Sequence, residues 1–533
     1  MPRFLADLRL VDFAQELQGK RIYIAPDDHT DLFWSADLAT YERVFVDMLD
    51  YYLDLADRTE NEPHEFQSRW NCDGNFWVWI YERKKPAADF ERLIERIRDG
   101  HISVPLNALC VCLGGAPVEA VLRGMYYPGK LERRYGLHFN LAYSMENQTL
   151  PFGLGALWSG SGATFSWKGI CGCATKVPEV WDREHDIYWW AGMDGSKLLM
   201  KWNSMLQGSQ YPGGYAEARY PEEVVSFVSS NEDFRTRYPY QVMGAFGYGW
   251  DDLQSQTDKL VIAAKNLSNQ NFKVIVSNEI DFAQDFEETY GDAIPSISAS
   301  FGNEWDLDCA TMAEVSARYK RGVERLRSAE SLATIVSLKK TDFMQERKIA
   351  RDQAWMNMGL FWEHDWQGAP WENLTEKRME WTRKITGEIE DYVNSLLEDA
   401  LSTLGELIEK SNVNERFFVF NPLSWVRTDY ADYEYRGTHL VHVVDLESNQ
   451  EIPSQFVMKD GMRWLRILAN NVPSVGYKVF EIREGAGQSF SNAASVSDGY
   501  IRPTPDTRRD YGSVHQRSLP HKREVTRLGT RWK

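Results

Sequence analysis

Between about residues 20 and 300, short strand-like apolar runs alternate with segments of helical period, and no other feature constrains the fold as much. The run RIYIA (21–25) precedes LATYERVFVDMLDYYLDLAD (38–57), whose apolar residues recur every three or four positions, as on an amphipathic helix. FWVWIY (76–81) then reads as a strand, ADFERLIERIRDG (88–100) as a helix and ISVPL (102–106) as a strand. YQVMGAF (240–246), DKLVIAAKNL (258–267) and FKVIVS (272–277) repeat the order. Strands alternating with helices of this length predict parallel βαβ units. In such sheets ligands bind at the carboxyl ends of the strands.

The pattern changes twice more. From 308 to 412 it is helical, and the stretch 372–410 is long enough to need a break, expected near Gly387. From 413 to 486 short β-rich runs separated by turn residues read as the start of an antiparallel β-sandwich. Residues 487–533 hold few apolar side chains and end in a basic stretch, so an irregular or disordered tail is expected there. The predicted organisation is thus an α/β domain (1–307), a helical bundle (308–412), a partial β-sandwich (413–486) and the tail. With so few strands in its β domain, the chain reads as one cut short.

Composition narrows the partners. A net charge of −18 over 533 residues argues against nucleic acid or an anionic membrane as partner. No run approaches 18 apolar residues, and acids interrupt the apolar runs of the N-terminus, so neither a membrane span nor a signal peptide is expected. The six cysteines (Cys72, Cys110, Cys112, Cys171, Cys173 and Cys309) form no disulfide framework and lack the spacing of zinc knuckles, which fits a reducing, cytoplasmic setting.

Chemistry concentrates at a few points. PDDHTDLFW (26–34) breaks from the first strand into acids, a histidine and a tryptophan. His29 and Asp31 put an imidazole nitrogen and a hard oxygen two residues apart, a spacing that can aim both at one divalent ion. A solvated loop histidine is the plain alternative. Glu146 follows the strand-like HFNLAYSM in an apolar, glycine-rich stretch without a basic neighbour, an expensive place for a carboxylate with no task. His364-Asp365 sits among Phe361, Trp362 and Trp366, where a capping or core histidine is the alternative. Asp251 and Asp252 follow a strand and two glycines, and Glu304, Asp306 and Asp308 surround Trp305. Carboxylates interleaved with aromatics suit sugars, whose faces stack on rings and whose hydroxyls bind acids.

In this order the motifs resemble glycoside hydrolase family 38, the α-mannosidases, over about residues 18 to 480. The resemblance implies a barrel-like β/α domain with a mostly parallel sheet, then the helical bundle and the β-sandwich. It implies a zinc ion held by His29, Asp31, Glu146 and His364, with Trp34 stacking on the sugar. The family's nucleophile is a zinc-bound aspartate sixteen residues before a glycine, and Glu146 stands sixteen before Gly162. YWWAGMDGSKLL (188–199) and FFVFNPLSW (417–425) are similar to further family segments, and Asp251-Asp252 to a substrate-binding pair. His185-Asp186 competes with His364-Asp365 but fits less well in order and neighbours. The implied reaction is retaining hydrolysis of an α-mannoside or related α-glycoside, with Asp308 as acid/base and Glu304 and Asp306 close behind.

One departure bears on detail: Glu146 stands where the family has aspartate, moving the carboxylate by about 1.5 Å on an unchanged backbone. Two rival readings follow the same residues. One is a non-catalytic or impaired carbohydrate-binding remnant of this fold. The other is a metal-dependent polysaccharide deacetylase, which normally needs a His-X-X-X-His that none of the ten histidines supplies.

Overall fold

The strand Arg21–Ala25 (β1) is apolar at nearly every position because it is buried on both faces. A computed structural model describes residues 17–143, 145, 149–169, 186–202, 214–248, 255–302, 304–491, 494–497 and 500–503, with the side chains of 214, 215, 304, 306 and those beyond 491 excluded. It divides into two units, Met1–Thr403 and Leu404–Lys533.

In the first unit, β2 (Trp70–Asn71) and β3 (Ile102–Ser103) form a short parallel pair. The strands β4 (Phe165–Lys168), β5 (Ile187–Ala191) and β6 (Lys197–Trp202) join a mixed sheet. β7 (Val242–Phe246) and β8 (Lys273–Val276) flank β1 in a parallel sheet of order β7-β1-β8, and β9 (Ser296–Ile297) completes the mixed sheet as β4-β6-β5-β9. Ile24 lies opposite Ala245 on one side and Val276 on the other. Gly244 is needed for close packing, since a Cβ there would come within 2.7 Å of the Phe246 ring. Beyond β1 the chain stays registered: Gly247 N donates to Ala25 O (3.1 Å) and Tyr248 N to Asp27 O (2.7 Å). The sheet therefore fixes where the segment after β1 begins.

Two local expectations fail. FWVWIY is not a strand but lies in the helix Asn75–Lys84, with Phe76 to Tyr81 all buried. A uniformly apolar run has no period, and a helix surrounded by protein suits it as well as a strand. The Asn75 side chain anchors the start of this helix by donating to Leu106 O (2.7 Å) and Gly124 O (3.1 Å). Likewise the helix Leu374–Leu407 runs through Gly387 without a break. Its buried stripe of Ile385, Ile389, Val393, Leu396 and Ala400 outweighs one glycine, whose cost in a helix is only about 1 kcal/mol. HFNLAYSM is represented by an isolated parallel bridge between Leu141 and Phe165. The helices Ala313–Ser337 and Lys348–Leu360 complete the helical part of this unit.

The second unit contains β10 (Arg416–Asn421), β11 (Arg427–Glu434), β12 (Val441–Asp445), β13 (Gln450–Ile452), β14 (Ser454–Lys459), β15 (Met462–Val472) and β16 (Gly476–Glu484). They form two antiparallel sheets, β10-β16-β12-β13 and β11-β15-β14. Val443, Phe480 and Ile482 of one sheet share a core with Leu465, Ile467 and Ala469 of the other. A hairpin, Ala494–Ser497 with Tyr500–Pro503, forms within the stretch read from sequence as irregular. Among the described residues no helix is long and apolar enough to cross a membrane.

The first unit buries acids beside its central sheet. Glu279 is fully buried, adopts a left-handed backbone (φ 73°) and leads into the helix Ile280–Tyr290. Burial, then the nearby Asp27, push its carboxyl well above the usual range against the pull of Lys201. The folded state thus keeps a proton that the unfolded chain releases as pH rises past the ordinary carboxylate range, so this group destabilises the fold increasingly at higher pH. Glu279→Gln mimics the protonated acid. Its melting temperature should exceed wild type at pH 8, by about 2–4 °C per kcal/mol recovered, and converge with it near pH 4. Scanning calorimetry at the two pH values checks this, and a variant less stable than wild type at pH 8 would refute the protonated state.

Candidate metal centre

The segment after β1 is held by its backbone so that its side chains are free to converge. Thr30 N donates to Asp73 Oδ2 (2.9 Å), and the Thr30 hydroxyl accepts from Trp77 Nε1 (3.1 Å). Asp31 O accepts from Trp34 N (3.0 Å) and from the Tyr41 hydroxyl. The second contributing segment follows the helix Lys348–Leu360. It is hooked onto the chain near Val111: His364 N donates to Cys110 O (3.2 Å) and Cys112 N to Trp362 O (2.7 Å). Ala369 N then donates to Phe33 O (2.9 Å), tying the two segments directly together.

At this junction Asp31 Oδ1 lies 2.9 Å from His29 Nε2 and 2.6 Å from His364 Nε2. The donor atoms of these three residues all lie within 4.8 Å of one another, at exposures of 2% for His29, 7% for Asp31 and 4% for His364. Two imidazole nitrogens and one carboxylate oxygen, buried and mutually convergent, suit a divalent ion such as zinc. A catalytic zinc site commonly has three protein ligands and one open position.

Behind His364 stands a group that sequence reading missed. Glu363 Oε1 is 3.0 Å from His364 Nδ1, while its Oε2 is 2.8 Å from Arg378 Nη1. Arg378 Nη2 also donates to Glu363 O (3.1 Å), and both side chains are fully buried. A carboxylate on Nδ1 keeps the proton there and leaves Nε2 with its lone pair toward a metal. Glu363 is visible in the sequence next to His364, but Arg378 sits in an ordinary helical period, and nothing marks their pairing.

The surroundings divide the acids. Burial pushes the Asp31 carboxyl upward, yet the charges and hydrogen bonds of His29 and His364 outweigh it and hold it well below the usual range. Asp28 is pushed up to about 8 by burial, against the hydrogen bond from the Ser255 hydroxyl. Asp365 also rises to about 8, through burial and then the charges of Glu363 and Asp31. Burial raises Asp73, opposed by the charge of His29 and by hydrogen bonds from Thr30 and Tyr143.

Of the other residues singled out, Trp305 is brought to the centre: its ring stacks on that of His364, centroids 6.1 Å apart and planes at 8°. Asp308 is half-buried on the same short helix, Glu304–Met312. Trp34 is half-buried at the turn that follows Asp31. The backbones of Glu304 and Asp306 lie on this helix, but their side chains are outside the described set. Glu146, Asp251, Asp252 and His185 lie outside the described residues altogether.

The geometry predicts graded losses of metal. If the three residues hold zinc, His29→Ala and His364→Ala each remove a candidate ligand and should abolish stoichiometric zinc. Glu363→Gln should weaken zinc by about 10–100-fold and also lower stability, because Arg378 keeps a buried charge without its partner. Metal content by plasma mass spectrometry with a chelator titration checks the series, and undiminished zinc in both histidine variants would contradict it.

No protein-family model matches the chain, and no curated protein sequence matches it. Solved structures do. An α-mannosidase from Enterococcus faecalis V583 superposes with a TM-score of 0.65 at 15% identity, over 89% of this chain and 57% of that one. A glycosyl hydrolase family 38 protein from Enterococcus faecalis superposes with a TM-score of 0.59 at 14% identity, over 90% and 56%. The chain thus spans less than two thirds of either structure's length. It has the fold of the corresponding part of these family 38 structures.

Proposed function

We infer that the chain is a metal-dependent, retaining glycoside hydrolase acting on α-mannosides or related α-glycosides. The observation that carries the reading is the buried convergence of His29, Asp31 and His364 at the carboxyl end of β1. The fold held in common with an α-mannosidase gives that convergence a context.

His29, Asp31 and His364 would hold the ion, with Glu146 as fourth ligand. A bound zinc ion supplies Lewis-acid stabilisation to sugar hydroxyls as the ring distorts toward an oxocarbenium-like transition state. The chain's own residues do the rest. Trp34 and Trp305 offer aromatic walls, and Asp251 and Asp252 bind hydroxyls. A Glu146 oxygen forms the bond to the anomeric carbon while the glycosidic bond breaks and Asp308, or its neighbour Glu304 or Asp306, gives its proton to the leaving oxygen. The same acid/base then takes a proton from water, whose oxygen bonds to the anomeric carbon and displaces Glu146. Retention asks for these carboxyls about 5 Å apart. Six cysteines in a chain of 533 residues suit a reducing, cytoplasmic setting.

The test is hydrolysis of an activated aryl α-mannoside by the zinc-loaded chain, followed by proton NMR. The first-formed sugar should be the α-anomer, because two inversions give retention. Glu146→Gln, with metal occupancy verified, should lower kcat by about a thousandfold or more while leaving ligand affinity within about tenfold. First release of the β-anomer would remove Glu146 as nucleophile. Sugar binding without any turnover by wild type would leave the carbohydrate-binding remnant as the reading.

A further inference from the structure

The two segments that meet at the metal centre each deliver a tryptophan to the same place. Trp34 follows Asp31 by three residues, and Trp371 follows Ala369, whose N–H holds Phe33 O, by two. Their rings meet edge to face, with centroids 5.1 Å apart and planes at 71°. Both are presented by unusual backbone. Phe33 is left-handed (φ 71°), although its ring is bulky and buried against Trp381. Glu372 and Asn373, directly after Trp371, are left-handed as well (φ 54° and 58°). Left-handed backbone at non-glycine residues is costly and persists where surrounding structure enforces it, commonly at ligand sites.

The enforcement is visible. Ala369 O accepts from both Thr375 N (3.1 Å) and Thr375 Oγ1 (3.0 Å), and Trp371 O accepts from Leu374 N (3.0 Å). Lys377 Nζ lies 3.4 Å from Asp37, bracing the helix after Trp371 against the one after Trp34. All this holds in place a tryptophan that is 46% exposed. A side chain that contributes only to packing does not need such an anchored, strained and half-open position. Exposure also rises outward from the metal ligands, through half-buried Trp34 to Trp371.

We propose that Trp371 is a specificity residue that stacks on the second sugar ring of a disaccharide, on the leaving-group side, with Trp34 as the adjoining wall toward the metal. A pyranose presents C–H groups on its faces, and a fixed indole face is the complementary surface. This inference rests on the carbohydrate reading of the metal site but not on turnover.

The probes are a thio-linked α-mannobiose, which resists cleavage, and methyl α-thiomannoside, which has no second ring. Affinities are measured by calorimetry on the zinc-loaded full chain. Trp371→Ala should weaken the disaccharide about tenfold and leave the monosaccharide within about twofold, with zinc content unchanged. Trp371→Phe, which keeps an aromatic face, should recover most of the disaccharide affinity. Equal loss on both probes, loss on neither, or no binding of either by wild type would overturn the proposal. Wild type that binds with this selectivity but hydrolyses no aryl α-mannoside would sink the catalytic reading and leave this one standing.

Discussion

Everything near the centre depends on one carboxylate held between two imidazoles. Asp31 Oδ1 lies within hydrogen-bonding distance of both His29 and His364, which arrive from segments more than 330 residues apart in the chain. Burying three such groups is expensive unless they share charge or hold a cation. The fold meets that cost with fixed backbone. The parallel sheet sets where His29 and Asp31 begin, and the hydrogen bond from Ala369 to Phe33 closes the second segment onto the first.

The acids around this point have different roles because their environments differ. Asp31 faces two imidazoles and stays ionised, whereas Asp27, Asp28, Asp73 and Glu279 are pushed upward mainly by burial. The buried carboxyls also brace the loop as hydrogen-bond acceptors. Asp73 accepts from Thr30 N and the Tyr143 hydroxyl, and Asp27 accepts from Asn71 Nδ2, whose own Oδ1 takes the Ser103 hydroxyl. Asp31 is thereby the carboxylate held ionised between the two imidazoles, where a divalent ion would need it.

How much of this was legible in sequence depended on whether the signal was local. The strand RIYIA and the helices after it carry their own period, so β1 and the helix Leu38–Thr59 appear where that period places them. FWVWIY has no period and reads as a strand, yet it lies in a helix whose first residue, Asn75, is anchored by contacts remote in sequence, to Leu106 and Gly124. His29, Asp31 and His364 were picked out by motif and order, and the structure places them together. Arg378 and Trp371 were not, since their meaning comes from neighbours remote in sequence. The strain at Phe33, Glu372 and Asn373 is likewise invisible without backbone angles.

The central claim is that His29, Asp31 and His364 form a nitrogen- and oxygen-ligated metal centre. X-ray absorption at the zinc edge of the zinc-loaded chain tests it most directly, because it separates nitrogen and oxygen ligands from sulfur. The account predicts a first shell of nitrogen and oxygen at about 2.0–2.1 Å, with outer-shell scattering from two imidazoles. A sulfur shell at about 2.3 Å, or a shell without imidazole, would contradict it.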